Sequence, residues 1–295
     1  MNNAAILIIG YKRPEHLKNL VVSLRYLKSD ISYAPIFLSI DGPRLFDKTA
    51  FLNHETQKIA KKLLKEKKIS HLILRSKNNG TLLNITKSID EVLKNYDYVL
   101  VLEDDLQLTK YIRGFFEKAN KLITGKISAV SIYTNRPYSN VPFISKRFNS
   151  QGWMTSKDYW TNFNPEEIRN TILTKEQRKK INKEIGADLL EDFDHFQSGK
   201  LDTWAVPWNI YNFLNNKFML YPTKSYVKNF SHEVGAERTF GVKFDYELSS
   251  TYFDEVDFNN ANENLRYIKN FSFFNRFKRK IKSTAYQIFF KIIKH

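Results

Sequence analysis

The chain has 295 residues, 42% hydrophobic and 26% charged, enough to bury a sizeable core, which excludes a disordered or collagen-like polymer. It contains no cysteine, which excludes disulfides and thiolate zinc sites. Its formal charge of +16 favours a polyanionic partner, whether nucleic acid, anionic lipid or a phosphorylated substrate.

Ile6-Leu7-Ile8-Ile9 predicts a buried strand that stops at Gly10. Residues 1–9 lack the basic segment of a signal peptide, and no run approaches the ~18 apolar residues of a membrane span, so neither is expected. Pro14 opens a helix to about residue 27, with Leu17, Leu20, Val21 and Leu24 at helical spacing. Residues 36–40 predict a second strand, broken by Asp41-Gly42-Pro43. A basic amphipathic helix over 56–67, a strand over 71–74, a helix over 81–93 and a strand over 98–102 follow. The last strand runs into Glu103-Asp104-Asp105. Beyond it the pattern is less regular, with a strand over 129–133, a charged helix over 175–183 and an aromatic helix over 204–213.

Strands alternating with helices over the first hundred residues predict an α/β fold, a mostly parallel sheet flanked by helices. Ligands of such sheets lie at the carboxyl ends of the strands. Asp41, the Asn78-Asn79-Gly80 turn and the acidic triplet each follow a predicted strand, which places them on one rim. The aromatic content of 15% suits carbohydrate or membrane surfaces, and equally well ordinary core packing. With no internal repeat and no Gly/Ser linker, one composite domain is expected over 1–245, in halves of about 1–125 and 126–245, with an extension over 246–295.

Three consecutive carboxylates after an apolar strand repel one another unless a cation or hydrogen bonds compensate. Their hard oxygens suit Mg²⁺ or Mn²⁺, whose remaining positions a nucleotide diphosphate and water would fill. A solvated acidic turn is the alternative.

Val99-Leu100-Val101-Leu102-Glu103-Asp104-Asp105-Leu106 resembles the metal-binding strand end of GT-A glycosyltransferases. The likeness is to the N-acetylglucosaminyltransferase I type and to bacterial, family 2-like enzymes of surface polysaccharide. The strand through Gly10-Tyr11-Lys12-Arg13-Pro14 resembles the family's opening strand, whose arginine approaches the donor diphosphate. Leu38-Ser39-Ile40-Asp41-Gly42 resembles the strand whose aspartate reads uracil. Ala129-Val130-Ser131-Ile132-Tyr133-Thr134-Asn135 and Gln151-Gly152-Trp153 resemble the strand beyond the metal site and a Gly-Trp element of the acceptor side.

The resemblance spans about residues 4–240 and implies an inverting transferase using a nucleoside diphosphate sugar, with UDP expected. Asp105 would coordinate the divalent metal, and Asp104 and Glu103 would face the ribose and sugar hydroxyls. Arg13 would face phosphate and Asp41 the base, although a surface arginine and an Asp-Gly-Pro turn need no function. For the proton acceptor, Leu201-Asp202-Thr203-Trp204 is the match, which gives Asp202 the role and puts Trp204 on the acceptor side. Thr203 stands where the eukaryotic branch has a second aspartate, so Glu191, Asp192 and Asp194 are substitutes, and Asp202 could instead cap a helix. In Asn229-Phe230-Ser231-His232-Glu233-Val234-Gly235-Ala236-Glu237-Arg238-Thr239, Arg238 stands in place of the histidine common in bacterial relatives. Arg238 could close over the diphosphate, or His232 could serve as a metal ligand.

Residues 265–295 carry nine Lys or Arg and no acidic residue. Phe274, Phe277, Ile281, Ile288 and Ile292 fall on one face of a predicted helix, with Lys278 and Lys282 turned away. A basic amphipathic helix of this kind lies in the interface of an anionic bilayer, or packs its stripe on the domain. No nucleic-acid motif accompanies the charge, so nucleic acid is not the expected partner. The expectation is a bacterial enzyme, peripheral on the cytoplasmic face of the membrane, that glycosylates a glycan or lipid-linked acceptor. A metal-dependent nucleotidyltransferase and a non-catalytic basic binding module remain alternatives. The first would want a glycine-rich phosphate loop, where this chain offers a single glycine in Gly10-Tyr11-Lys12-Arg13.

Overall fold

A computed structural model describes residues 3–27, 34–135, 139–231 and 246–269. β1 (Ala4–Gly10) is buried along its whole length because it feeds two layers. Ala5, Leu7 and Ile9 enter one apolar cluster, and Ala4, Ile6 and Ile8 enter the other, as the two-residue period of a strand dictates. α1 (Pro14–Ser23) starts at the proline and passes into a 3₁₀ turn over Leu24–Leu27, which completes the helix expected there. β2 (Ile36–Ile40), α2 (Ala50–Lys65), β3 (His71–Leu74), α3 (Gly80–Leu93) and β4 (Tyr98–Glu103) complete the alternating half. α2 begins six residues earlier than expected.

β5 (Leu106–Leu108), α4 (Phe115–Leu122) and β6 (Ile127–Ser131) lead into the second half. There β7 (Phe143–Ser145) and β8 (Trp153–Ser156) precede α5 (Lys157–Trp160), α6 (Pro165–Arg169), α7 (Lys175–Glu184) and α8 (Ala187–Gln197). α9 (Ala205–Leu214), β9 (Phe218–Tyr221), β10 (Val227–Asn229), β11 (Asn262–Glu263) and α10 (Leu265–Lys269) finish the described chain.

Among the described residues nine strands form one sheet, in the order β11-β7-β9-β6-β8-β4-β1-β2-β3. Five of the eight neighbouring pairs are parallel, and β8 runs antiparallel between β4 and β6. The fold is therefore the mostly parallel α/β sheet with flanking helices that the sequence predicted. Residues 246–269 are built into it: β11 adds an edge strand, and Phe253 and Tyr267 are buried in the two clusters. The predicted helix beyond residue 270 lies outside the described residues.

The aromatic surplus serves the core. All four tryptophans meet, with Trp153 stacked on Trp204 (centroids 5.0 Å apart) and Trp160 beside Trp208 (4.8 Å). Gly152 precedes this cluster at φ +81°, and a Cβ there would lie 2.7 Å from Ile132 Cγ1. Only glycine fits that turn without displacing Ile132.

Candidate active site

Strand register assembles the site. Gly10 pairs with Ile40, Ile40 with Leu74, and Ile9 with Glu103, so the residues after β1, β2, β3 and β4 emerge on one rim. They face a pocket of about 360 Å³ that is closed on the far side by Ser150, Gln151 and Thr203–Ala205. A small buried network fixes the helix beside it: Ser39 Oγ donates to Asn84 Oδ1 (3.1 Å) and Ser88 Oγ donates to Ser39 Oγ (2.8 Å), tying α3 to β2.

The acidic triplet begins on the last residue of β4. The Asp104 backbone N–H donates to the Ile9 carbonyl (2.9 Å), and Asp104 Oδ2 accepts from the Tyr11 N–H (3.0 Å). Asp104 and Asp105 are 8% and 6% exposed. Arg13 reaches across from the start of α1 to form a close ion pair with Asp105, and lies 3.9 Å from Asp104 Oδ1. Burial pushes the Glu103 carboxyl up to about 8, helped by Asp105 and Asp104. Burial raises Asp104 to about 7 as well, with Arg13 opposing and Asp105 reinforcing. Arg13 is held above its ordinary value: burial opposes its charge, but Asp104 and Asp105 outweigh it. One guanidinium thus faces three carboxyl groups whose burial and mutual repulsion keep two of them from ionising freely, and a hard dication would relieve that repulsion.

These side chains fit a divalent ion by the chemistry of their donors, which are carboxylate oxygens opening onto a pocket with room for water and phosphate. The described residues contain no ready-made cluster of three His, Cys, Asp or Glu ligands. His232 and Arg238 lie outside the described residues.

Asp41 lies at the floor, 5% exposed. Its carboxylate accepts from the backbone N–H groups of Gly42 (2.9 Å), Asn79 (2.9 Å) and Gly80 (3.1 Å) and from Asn78 Nδ2 (2.9 Å). Burial raises its pKa despite these bonds. Four donors fill the four acceptor positions of a carboxylate, so a base N–H would have to displace one of them. The geometry makes Asp41 the anchor of the Asn78-Asn79-Gly80 turn.

Asp202 is engaged as well. Its Oδ2 accepts from the Thr81 N–H (2.6 Å) and its Oδ1 from the Leu82 N–H (3.0 Å), so it caps α3 rather than the α9 helix that follows it. Trp204 is 4% exposed and lines the pocket, whereas Trp153 is fully buried behind it and reaches neither cavity described here.

A second cavity of about 370 Å³ adjoins the first and shares Ser150, Gln151, Thr203 and Ala205 with it. Asp192 lines this cavity, together with Asn135, Asn149, Tyr133 and Tyr267. Asp194 is exposed and paired with Arg178 (2.8 Å), away from both cavities. Sequence reasoning gave no role to Asn229, which lines the first pocket and is 1% exposed. β10 pairs with β5 immediately after the triplet, setting Asn229 opposite Leu106, and the Phe230 N–H donates to the Asp105 carbonyl (2.9 Å). Asn229 Oδ1 accepts from the Ser231 N–H (2.7 Å), which fixes the amide orientation and leaves Nδ2 without a hydrogen-bond partner among the described residues. No local pattern marks that residue, because the pairing that delivers it is long-range.

No family model matches the sequence, and no curated protein matches it. Several solved structures resemble the chain. The mannosyltransferase PcManGT from Pyrobaculum calidifontis, solved with GDP-Man and Mn²⁺, is 10% identical, with 54% of this chain and 46% of that one covered at a TM-score of 0.38. S. aureus TarS 1–349 is 13% identical, with 79% and 61% covered at a TM-score of 0.45. GalNAc-T7, solved with UDP, GalNAc and Mn²⁺, is 8% identical, with 77% and 44% covered at a TM-score of 0.49. The chain spans roughly half the length of these structures, between 44% and 61%.

Proposed function

We propose that this chain is an inverting glycosyltransferase that moves a sugar from a nucleoside diphosphate, with UDP the expected nucleotide, to a hydroxyl of a glycan or lipid-linked acceptor. The observation that carries the reading is the pair of adjoining cavities at the carboxyl ends of the sheet. One is walled by Arg13 and the acidic triplet, and the other holds a carboxylate, Asp192. A donor and an acceptor in these cavities would meet at the shared wall of Ser150, Gln151 and Thr203.

In this reading Asp105, with His232 as the second ligand named from sequence, would hold a divalent ion that offsets charge on the departing diphosphate. Glu103 and Asp104 accept hydrogen bonds from donor hydroxyls, and Arg13 turns from Asp105 toward phosphate. Asp192 takes the acceptor proton, since it is the carboxylate among those named from sequence that lines the second cavity. The acceptor oxygen forms its bond to the anomeric carbon as the bond to the diphosphate oxygen breaks from the opposite face. The nucleoside diphosphate leaves, and the proton remains on Asp192.

No helix among the described residues is long and apolar enough to cross a membrane. We place the enzyme on the cytoplasmic face of a bacterial membrane, in surface polysaccharide synthesis, on the basic, acid-free segment over 265–295.

The test is nucleotide release from UDP-glucose, UDP-galactose, UDP-N-acetylglucosamine and GDP-mannose, with Mn²⁺ or EDTA. Metal-dependent release of UDP or GDP supports the reading. Pyrophosphate release from a nucleoside triphosphate and a sugar phosphate would make the chain a nucleotidyltransferase, and no release from either would make it a binding module.

A further inference from the structure

The first N–H groups of a helix have no intrahelical partner and must be satisfied from outside. α3 meets this need in an unusual way. Its N-cap residue, Asn79, makes no side-chain cap bond. Instead two distant carboxylates divide four consecutive amides: Asp41 accepts from Asn79 and Gly80, and Asp202 from Thr81 and Leu82. Asp202 is 121 residues from Thr81 in the chain, and it lies between α8 and α9 in the other half of the sheet.

The contact is built to close tolerance. Gly80 has φ +80°, and a Cβ there would sit 2.4 Å from Asp202 Oδ2, so the approach of this carboxylate requires glycine at position 80. The two segments it joins both line the first pocket: Gly80 and Thr81 from one, Thr203, Trp204 and Ala205 from the other. Asp202 itself lines neither cavity, although Thr203 beside it lines both. A proton acceptor must reach the hydroxyl it deprotonates, and protonation would weaken both amide bonds that Asp202 holds.

We infer that Asp202 is a positioning residue, a strut that fixes the first turn of α3 against the 203–205 segment and so sets the width of the nucleotide pocket. The functional half of this inference rests on the glycosyl-transfer reading, and the structural half does not. Asp202 is exposed, so solvent moderates the strength of its bonds.

Two variants and two measurements decide it. Asp202→Ala removes both acceptors, and amide hydrogen exchange across residues 80–85 should accelerate roughly 2- to 30-fold, the range of a lost helix cap. The dissociation constant for UDP or GDP with Mn²⁺, read by calorimetry, should rise by at most that factor, because the competent turn is less populated. Asp202→Asn keeps one acceptor oxygen and should restore most of both. The acidic limb of kcat/KM for UDP release should be unmoved in it, with loss confined to KM. The opposite pattern overturns the inference: turnover of Asp202→Asn down about a thousandfold, the acidic limb gone, and exchange and nucleotide affinity as in wild type, which is the signature of a general base. Wild-type exchange over 80–85 in Asp202→Ala overturns it too. If the wild-type protein binds neither UDP nor GDP, the glycosyl-transfer reading fails, while the exchange measurement still decides the strut.

Discussion

Replacing Arg13 by methionine keeps much of the stem that packs beside the triplet and removes the guanidinium paired with Asp105. The side chains of Arg13 and Asp105 are 11% and 9% exposed, so water does little to screen the charge left behind. Removing one partner of such a buried pair costs about 3–5 kcal/mol. At about 2 °C per kcal/mol for a chain of this size, that is roughly 6–10 °C in Tm.

The cost should depend on pH, and its sign follows from the shifts. Glu103 and Asp104 have folded pKa values of about 8 and about 7, raised from 4.5 and 3.8. A carboxyl raised in the folded state contributes stability that is fully present below its unfolded value and lost as pH climbs through the folded one. Arg13 holds both values down, so its removal raises them further. Near about pH 5 both groups carry protons and the cost of Arg13→Met should fall to that of unpairing Asp105, whereas near about pH 9 the penalty should be larger. Urea unfolding followed by tryptophan fluorescence, in EDTA at acid, neutral and alkaline pH, reads the difference. A penalty that is constant across the range, or below about 1 kcal/mol at the alkaline end, would refute the reasoning.

Gly152→Ala should destabilise by about 2–4 kcal/mol, from the left-handed φ and the 2.7 Å approach to Ile132, and a wild-type Tm would remove that argument. Asn229→Leu leaves the buried Ser231 N–H without its acceptor and should cost about 1–3 kcal/mol, and it should also weaken UDP binding in calorimetry. Equal affinity would detach Asn229 from the ligand. Truncation after Asn270 should release the protein from anionic vesicles, since each Lys or Arg near such a surface contributes about 1 kcal/mol. Equal sedimentation of both forms at low and high salt would sink the membrane assignment.

The half of the molecule that could be read in advance is the half whose elements are locally encoded. β1 and β4 up to Glu103 are apolar runs, β2 is interrupted only by Ser39, a turn signal follows each, and α3 carries its stripe through Leu82, Ile85, Ile89 and Val92. Asp41 and the triplet were therefore placed on the rim correctly. α2 was started late because Ala50, Phe51 and His54 present no continuous apolar face, and Phe51 is exposed. β7, β10 and β11 have three, three and two residues, too short for any period to show, and only their partners make them strands. The same long-range logic hid the partners of the site. Nothing near Asp202 in sequence announces that its oxygens meet Thr81 and Leu82, and nothing near Asn229 announces Leu106.

A charge argument links the two ligands of the proposed reaction. In a chain of +16, the pocket concentrates Glu103, Asp104 and Asp105 at its wall and Asp41 at its floor, while α3's N-terminus, a natural anion site, is already satisfied by Asp41 and Asp202. A diphosphate entering alone would meet carboxylates and one guanidinium that is already paired. A dication entering alone would displace Arg13 from Asp105 and gain the triplet, but would leave Arg13 buried among neutralised partners. Entering together, the dication would be held by Asp105 and would offset the diphosphate charge, while Arg13 would be free to turn to the phosphate. Metal and nucleotide should therefore bind with positive coupling. Because coupling is reciprocal, UDP must raise Mn²⁺ affinity by the same factor that Mn²⁺ raises UDP affinity.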